Sequence, residues 1–347
     1  MKILHVAEYT KGGVATILSS LITHQEKLNG SKVSLLIEKT HTEYVDCKDT
    51  YIFNGGRSLI GLIRFGFSII SSYLKFKPDV VHLHSSFAGL VGRIALSPFR
   101  VKIVYQPHGI SFDSDRVSGF KKHLYQFIEK FLSNNMNKMI AISEYEYDQL
   151  SRILGKSKLV LINNGVPDTS VDINLIRNGR LLFVGRLDEQ KGLDLLLNLY
   201  KEGLIDKSLD IVGESVLKDS DYDLDIDNVT FLGWKSQKEL EMLYSDYDAV
   251  IMPSRWEGFG LVAIESLRSG TPVLCSNRGA LPYLIEDNRS GFVFNLQDYE
   301  QSIPESIKRL QNTSFESLSL HSRKVYLEKY TSVRMCEETF QLYKQIK

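Results

Sequence analysis

The chain begins with MKILHVAEYTKGGVATILSSLITHQEKLNGSKVSLLI, residues 1–37. This stretch contains an apolar run at Ile3–Ala7, a helical pattern through Val14–Leu28 and a second apolar run at Lys32–Ile37. Short apolar runs predict buried strands, and a helical stretch between two of them predicts a strand–helix–strand unit with parallel strands. The first 37 residues therefore favour an α/β fold built on a parallel sheet.

The same alternation continues to residue 162 and restarts after residue 175. The further runs predicted to be strands are Val80–His84, Lys102–Tyr105, Lys138–Ile142, Lys158–Ile162, Arg180–Val184, Ser208–Val212, Val229–Leu232, Ala249–Met252, Pro272–Cys275 and Gly291–Phe294. Two series predict two Rossmann-like domains, residues 1–168 and 169–331, joined by a polar linker. A helix follows at residues 332–347, with packing on the first domain as one option. Since ligands of such sheets bind beyond the carboxyl ends of the strands, we expect the site in a cleft between two facing domains.

The composition is that of a globular protein without excess charge. The 347 residues include 42 Lys and Arg and 42 Asp and Glu, and this balance disfavours a dedicated nucleic-acid-binding protein, which carries a basic excess. Residues 1–170 hold 21 basic and 14 acidic side chains, and the remainder holds 21 and 28. Halves of opposite sign suggest different partners, with phosphates or an anionic membrane for the basic half. Chance, with mutual attraction of the domains, is the alternative.

Other features predict a cytoplasmic protein. Cys47, Cys275 and Cys336 are far apart and form no metal-binding pair, which favours a reducing compartment. The N-terminus has the pattern of a strand and not of a signal peptide. The longest apolar stretch, Leu59 to Leu74, is interrupted by Arg64, and we interpret it as too short and too polar to span a bilayer.

In each half of the chain, a glycine-bearing turn follows the first strand. Gly12-Gly13 precedes a helix, where backbone N–H groups can approach an anion, although a plain tight turn explains the pair equally well. In the second half, Gly185-Arg186 is followed by Lys191-Gly192. Two cations beside a helix N-terminus are suited to clamp a diphosphate, and a solvated loop is the alternative.

The most informative stretch is PSRWEGFGLVAIE, residues 253–265. It follows a predicted strand, and we expect a helix to begin near Leu261. Gly258 and Gly260 allow a ligand to approach the backbone closely, and the helix N-terminus favours an anion. Glu257 in the loop and Glu265 in the first turns of the helix are suited to accept hydrogen bonds from sugar and ribose hydroxyls.

The pair Glu257-x7-Glu265 in this glycine-rich frame resembles the signature of retaining glycosyltransferases of family 4, which have the GT-B fold of two facing Rossmann-like domains. The resemblance extends over nearly the whole chain. It implies that residues 1–168 form the acceptor-side domain and that residues 169–331 form the domain that binds the nucleotide sugar. In the family's order, the matching segments are Gly12-Gly13, Pro107-His108-Gly109, Ser143, Asn164-Gly165-Val166, Gly185-Arg186 with Lys191-Gly192, and the Glu257/Glu265 stretch.

The resemblance implies a role for each matching residue, and it implies that the catalytic residues are His108, Arg186, Lys191 and Glu257. Arg186 and Lys191 would neutralise the donor diphosphate, with backbone contacts from Gly12, Gly13 and Gly185. Glu265 would hold the ribose and Glu257 the transferred sugar. His108 would border the reaction centre. Backbone N–H groups facing sugar and phosphate would come from Gly258, Phe259, Gly260, Leu261 and Val262.

The resemblance also implies transfer from a nucleoside-diphosphate sugar, UDP-sugar first and GDP-sugar second, to a saccharide or lipid-linked saccharide in polysaccharide or glycoconjugate synthesis. It implies no cofactor and no metal. Tyr283 departs from the family, which often has Glu there, and this puts any contact at that position in doubt. The alternatives are a GT-B UDP-sugar epimerase and a non-catalytic sugar-binding subunit of a glycosyltransferase complex.

Some further patterns carry weaker signals. Alternating Asp residues at 219–227 lack the Gly and Glu of a calcium-binding loop. His82 and His84 lie on one strand face at a sheet end, which is more typical of a cleft-lining or packing role than of metal binding. Residues 57–77 and 116–132 mix basic and apolar side chains. Such helices either pack on the sheet or rest on an anionic membrane, and we expect peripheral membrane contact through the basic half.

Overall fold

The computed structural model describes residues 1–56, 58–110, 117–169, 173–176, 178–214 and 226–346. It divides into two compact units. Unit 1 is Met1–Pro167 with Ser332–Lys347, and unit 2 is Asp168–Thr331. Arg57, Arg116 and most of the aspartate series, Asp219 to Asp225, lie outside the described residues.

Unit 1 alternates strands and helices. Its elements are β1 (Lys2–Ala7), α1 (Gly13–Glu26), β2 (Lys32–Glu38), β3 (Thr50–Phe53), α2 (Leu59–Phe76), β4 (Val80–His84), α3 (Ser86–Ala95), β5 (Lys102–Gln106), α4 (Gly119–Leu132), β6 (Lys138–Ala141), α5 (Glu144–Ser151) and β7 (Leu159–Leu161). Among the described residues the strands form one parallel sheet in the order β3-β2-β1-β4-β5-β6-β7. The order reverses between β1 and β4, which is where such sheets bind ligands.

Unit 2 repeats this plan. Its elements are β8 (Leu181–Val184), α6 (Leu193–Lys201), β9 (Leu209–Val212), β10 (Val229–Gly233), α7 (Gln237–Tyr244), β11 (Ala249–Met252), α8 (Leu261–Arg268), β12 (Val273–Ser276), α9 (Leu281–Leu284), β13 (Gly291–Phe294), α10 (Tyr299–Gln311) and α11 (Phe315–Lys329). The described strands are parallel in the order β10-β9-β8-β11-β12-β13. Here the reversal lies between β8 and β11.

The chain ends on unit 1. The last helix, α12 (Ser332–Ile346), packs against α1, and the N–H of Ser332 donates to the Val166 carbonyl at 2.9 Å. Met335 and Tyr343 on this helix are fully buried. An apolar face on a terminal helix has to be covered, and α1 with the sheet behind it supplies the cover.

The central strands of both sheets are mostly apolar and are buried on both faces. The strands β4, β8, β9, β11 and β12 are buried at every position, as expected for parallel sheets with helices on both sides. The prediction of two Rossmann-like parallel sheets is confirmed. Strand β3 was not predicted, because Thr50–Phe53 is short and half exposed at the sheet edge.

One sequence interpretation is wrong. Helix α2 runs 18 residues, to Phe76, and it is the one helix in the described part of the chain that is long and apolar enough to cross a membrane. The stretch predicted from the sequence ends at Leu74 and is interrupted by Arg64, which made it too short and too polar, whereas the helix in the structure meets the requirement of length and composition. In the structure 28% of the helix is buried, and Phe65, Ile69 and Phe76 lie in the core of unit 1.

The two ends of α6 provide a test of how the loop after β8 is held. Gly192 is the N-cap residue immediately before the helix, at φ +71°, and an added Cβ would overlap the Pro253 carbonyl oxygen. Gly203 follows the helix at φ +68° with open space around it. We expect Gly192→Ala to lower the free energy of unfolding by about 3 kcal/mol, since strain and a clash combine. Gly203→Ala should lose only about 1 kcal/mol from the left-handed conformation. Equal losses in urea unfolding would contradict the close approach at Gly192.

Candidate functional site

The two loops of unit 2 that carry the predicted motifs leave neighbouring strands at the same edge of the sheet. Strands β8 and β11 are neighbours, with Leu181 opposite Ala249. Loop 185–192 leaves the carboxyl end of β8, and loop 253–260 leaves the carboxyl end of β11. Both therefore lie at the reversal of strand order. The residues predicted on this unit all lie on these loops or on α8. They are the catalytic candidates Arg186, Lys191 and Glu257 and the donor-binding candidates Gly185, Gly258, Phe259, Gly260, Leu261, Val262 and Glu265.

Backbone hydrogen bonds fix the loop after β8. The N–H of Gly185 donates to the Val212 carbonyl at 3.0 Å, and the N–H of Leu187 donates to the Glu214 carbonyl at 3.0 Å. Asp188 accepts from the N–H of Lys191 through its Oδ1 at 3.1 Å. These contacts tie the loop to the neighbouring strand β9 and determine where the Lys191 side chain begins.

An ion pair joins the two loops. Lys191 Nζ lies 2.6 Å from Glu257 Oε2, and the side chains are only 15% and 13% exposed. The Glu257 carbonyl accepts from the N–H of Ala280 at 2.9 Å, and a Cβ on Gly279 would overlap the Glu257 backbone. Glu257 is therefore held from two sides. A charge this poorly hydrated needs a partner, and Lys191 supplies it.

Arg186 is placed differently from Lys191. Its guanidinium pairs with Asp188 Oδ2 at 2.9 Å and donates to Gln190 Oε1 at 2.6 Å, yet the side chain is 54% exposed. Exposed pairs of this kind contribute little to stability. The guanidinium is therefore accessible to a ligand, and replacing its ion pair with Asp188 by an ion pair with a phosphate would cost little free energy.

The start of α8 offers backbone donors. Gly260 precedes the helix at φ +103° and supplies no side-chain cap. The first N–H groups of a helix lack acceptors within it and favour anions, and those of Leu261 and Val262 belong to this class. The Phe259 side chain is buried and meets Tyr330 edge to face at 6.1 Å. It anchors the loop, so that only its backbone is available to a ligand.

Glu265 is paired with a tyrosine that the sequence analysis did not identify. The Tyr244 hydroxyl donates to Glu265 Oε2 at 2.9 Å. Burial raises the pKa of the Glu265 carboxyl, while the hydrogen bond from Tyr244 and the charge of Arg268 act against that rise. Tyr244 ends α7, far from Glu265 in sequence, and no motif connects them.

In unit 1 the remaining predicted residues follow β1, at the strand-order reversal, and β5, one strand beyond the reversal. Gly12 follows β1 and caps α1 at φ +59° without a side-chain bond, and Gly13 is the first residue of that helix. His108 follows β5. A cavity of about 480 Å³ opens here, and His108 borders it together with Glu8, Tyr9, Ser85 and Glu129.

Two residues beside this cavity have strained backbones. His108 has φ +57° and Ser85 has φ +79°, a conformation that costs a non-glycine residue energy and is typical of functional sites. The next residue, Gly109, donates its N–H to Glu146 Oε1 at 3.1 Å, and Glu146 also accepts from the N–H of Ile142 at 2.7 Å. The buried Glu146 carboxylate thus holds the His108 turn.

Buried histidines lie behind the cavity. His5 on β1 is in register with His82 on β4, so His5, His82 and His84 share one face of the sheet. His5 Nε2 lies 2.9 Å from Gln25 Oε1, His5 Nδ1 lies 2.9 Å from His84 Nε2, and His84 Nδ1 lies 3.0 Å from His108 Nε2. His82 Nδ1 lies 2.5 Å from the Tyr343 hydroxyl.

Burial determines the protonation of these rings. It lowers the pKa of His5 to about 4 and of His108 to about 3, and it lowers the pKa values of His82 and His84 well below 6.5. All four are therefore neutral at neutral pH. Within the described residues, His5, His82 and His84 are the one group close enough to share a metal ion, with one nitrogen from each inside 4.8 Å. The sequence singled out His82 and His84 but missed His5, because strand pairing was unknown.

A scan of protein families matches both halves of the chain. Residues 11–170 match the model "Glycosyltransferase Family 4", and residues 175–320 match "Glycosyl transferases group 1". An uncharacterised 41.2 kDa protein in the cps region of Klebsiella pneumoniae is 35% identical over 318 residues, covering 86% of this chain and 87% of that protein.

Two further proteins show what the relatives do and how they fold. The UDP-Gal:alpha-D-GlcNAc-diphosphoundecaprenol alpha-1,3-galactosyltransferase of Escherichia coli is 26% identical over 321 residues, 82% of this chain and 80% of that one. HepE of Anabaena, solved in complex with UDP, has a TM-score of 0.79 and 19% identity over 99% of this chain and 100% of that chain.

A chain with these two parallel-sheet units is a glycosyltransferase of the GT-B fold, and the predicted fold class and enzyme class are confirmed. More closely, it belongs to the glycosyltransferases of the group 1 and family 4 type.

The buried histidines predict acid sensitivity. Their folded pKa values lie below the ordinary value of 6.5, so the unfolded chain binds more protons at mildly acid pH. Their contribution to stability is complete above pH 6.5 and is lost as the pH falls towards about 4. Each neutral histidine contributes a slope of up to about 1.4 kcal/mol per pH unit. We expect the melting temperature to fall between about pH 7 and about pH 5, where carboxylates remain ionised. His5→Gln should make this dependence shallower, and a flat wild-type profile would contradict burial of neutral rings.

Proposed function

We propose that this glycosyltransferase moves a sugar, with retention, from a nucleoside-diphosphate sugar to a saccharide or lipid-linked saccharide during assembly of surface polysaccharide or glycoconjugate. UDP-sugar is the first expectation for the donor and GDP-sugar the second. The observation that carries the proposal is the Lys191–Glu257 contact of 2.6 Å. It brings a cation and a carboxylate together at the strand-order reversal of unit 2, beside the N-terminus of α8.

The diphosphate is assigned to the cations and the helix. Cleavage of the sugar–phosphate bond leaves negative charge on the diphosphate, and fixed donors aimed at that charge are worth several kcal/mol. Arg186, Lys191 and the N–H groups at the start of α8 are such donors. Because they supply the positive charge, we propose that transfer needs no divalent metal.

The same arrangement assigns the two glutamates. When a diphosphate approaches Lys191, Glu257 loses its counterion and becomes available to accept from sugar hydroxyls. Glu265 accepts from the ribose hydroxyls, and Tyr244 orients its carboxylate from the other oxygen. This coupling ties sugar recognition to the arrival of the diphosphate. No nucleophile is assigned, and retention rests on the family resemblance.

Named relatives support the substrate class. The Escherichia coli relative takes UDP-galactose and a sugar-diphosphoundecaprenol acceptor by its name, and the HepE structure contains UDP. A UDP-sugar and a lipid-linked saccharide are therefore the first pair to test. In the resemblance, unit 1 is the acceptor side, and its cavity beside His108 is of the size that small-molecule sites have.

The donor assignment is tested by UDP binding. We expect Arg186→Ala to weaken UDP binding by about tenfold or more, since a charge-assisted hydrogen bond is worth about 1.5–3 kcal/mol. Its exposure means that folding should be preserved. The readout is isothermal titration calorimetry with UDP and GDP, followed by transfer assays with UDP-sugars.

The matched control is Lys201→Met, which removes an exposed lysine at the far end of α6. It should leave UDP binding unchanged. Glu265→Gln should weaken UDP but not inorganic diphosphate, because only the former carries ribose. If Arg186→Ala and Glu265→Gln both bind UDP like the wild type, the donor site is wrongly placed.

We also propose that unit 1 rests on an anionic membrane. Helix α3 packs against both α2 and α4, and the outer faces of α2 and α4 expose large apolar side chains. On α2 these include Leu59, Ile60, Ile63 and Phe67, and on α4 they include Phe120, Leu124, Phe127 and Phe131. Lysines at 121, 122 and 130 accompany them. Apolar side chains next to lysines are suited to the interface of an anionic bilayer, where a lipid-linked acceptor resides.

Vesicle flotation tests this surface. Phe127 and Phe131 are 65% and 68% exposed and stack at 6.2 Å. We expect the double substitution Phe127→Ser/Phe131→Ser to reduce flotation with phosphatidylglycerol vesicles by more than about tenfold, because burying each ring is worth about 1.5–3 kcal/mol. Trp234→Ser on unit 2 removes an aromatic ring of similar exposure, 63%, and should have no effect. Absence of flotation by the wild type at low salt would contradict the proposal.

A further inference from the structure

The three hydrogen-bonded imidazoles behind the unit 1 cavity form an unbranched chain. It starts at Gln25 on α1, passes through His5 on β1 and His84 on β4, and ends at His108 beside the cavity. Gln25, His5 and His84 are fully buried, whereas His108 is half-buried. The assigned roles of the donor and acceptor residues leave Gln25, His5 and His84 without a function.

The orientation of Gln25 sets the direction of the chain. Gln25 Oε1 lies 2.9 Å from His5 Nε2. The Gln25 amide nitrogen is buried and points elsewhere, without a hydrogen-bond partner among the described residues. The Gln25 oxygen therefore faces His5 Nε2 and can only accept.

That assignment propagates along the chain. A neutral imidazole has one donor nitrogen and one acceptor nitrogen, and burial keeps these rings neutral. His5 donates from Nε2 to Gln25, so its Nδ1 accepts from His84 Nε2. His84 Nδ1 then accepts from His108 Nε2. A tautomer change at one ring would set two N–H groups or two lone pairs against each other, at a cost of about 1–3 kcal/mol.

We propose that Gln25, His5 and His84 are positioning residues that hold His108 in the Nε2–H tautomer, so that its Nδ1 lone pair accepts a hydrogen bond from a hydroxyl group of the saccharide in the unit 1 cavity. Among the described residues His108 Nδ1 has no other partner, and the ring borders the cavity. The inference rests on the proposed function, because it takes the cavity ligand to be a saccharide. It adds a specificity rule: the ligand group beside His108 has to be a hydrogen-bond donor.

A shared metal ion explains the geometry less well. The nitrogen pairs His5–His84 and His84–His108 are 2.9 and 3.0 Å apart, which is the separation of a hydrogen bond with one proton in each gap. A tetrahedral ion with bonds of about 2.0–2.1 Å would push its nitrogen ligands farther apart. Each link is thus complete without an ion.

The direct test reads the tautomer. The full chain, labelled with ¹⁵N-histidine, is studied by long-range ¹H–¹⁵N correlation, and the His108 signals are those lost in His108→Gln. We expect the Nε2–H form of His108 in the wild type. In Gln25→Met the acceptor is gone, and both tautomers should be populated. Leu21→Met, an equally buried change on the same helix, should leave the signals unchanged.

Kinetics separate positioning from folding. We expect Gln25→Met to lower kcat by about twofold or more, because only the fraction of molecules with the Nε2–H form of His108 remains competent. The dissociation constant for UDP should not change, and Leu21→Met should have the kcat of the wild type.

Three outcomes would overturn the inference: the Nδ1–H form of His108 in the wild type, an unchanged kcat in Gln25→Met, or one equivalent of transition metal in the purified protein by mass spectrometry. If the wild type transfers no sugar from any donor, the proposed function fails instead, and the tautomer measurement still decides whether the chain has the assigned direction.

Discussion

Both units depend on one constraint: a parallel sheet covered on both faces cannot carry solvated side chains along its strands. Polar functional side chains therefore lie in the loops at the carboxyl ends of the strands. They concentrate where the strand order reverses, because the loops from two neighbouring strands lead to opposite sides of the sheet there. In unit 2 this place lies between β8 and β11, where Lys191 meets Glu257. In unit 1 it lies between β1 and β4, next to the cavity that His108 borders.

The local arrangement also explains why the charge of a whole half of the chain is a poor guide. The second half has 28 acidic and 21 basic residues, yet the place assigned to an anion has Arg186, Lys191 and the N-terminus of α8 around it. Glu257 shows how the acidic residues fit this picture. Its carboxylate compensates Lys191 in the absence of a ligand and keeps the cation in place. Distances of a few ångströms outweigh a net charge spread over a unit, because exposed charges beyond about 10 Å are screened.

The sequence carried most of the fold and only part of the site. Apolar periodicity located the strands from β1 to β13 except β3, whose residues are half exposed at an edge, and it ended α2 two residues early. The loops after β8 and β11 were found because glycine, cation and carboxylate are adjacent in sequence. Tyr244 and His5 were missed for the opposite reason. Tyr244 reaches Glu265 from another helix, and His5 joins His82 and His84 only through the pairing of β1 with β4. Contacts set by strand order have no local signature.

Histidines at the centre of a sheet call for an explanation, since apolar residues of similar volume would fill the space without needing partners. A buried polar chain is stable only when every link is made, and losing one link leaves a neighbour unpaired. Both Ser85 and His108, at the edge of the same cavity, adopt left-handed backbones that cost about 1–3 kcal/mol each. Backbone strain at the cavity edge and buried polar side chains in the sheet thus occur together around the His108 imidazole. A leucine at position 5 or 84 could fill the core, but it could not determine which nitrogen of His108 carries the proton. The buried histidines thus lower the stability of the fold, and in return they fix the protonation of the His108 imidazole at the point where a ligand hydroxyl would bind.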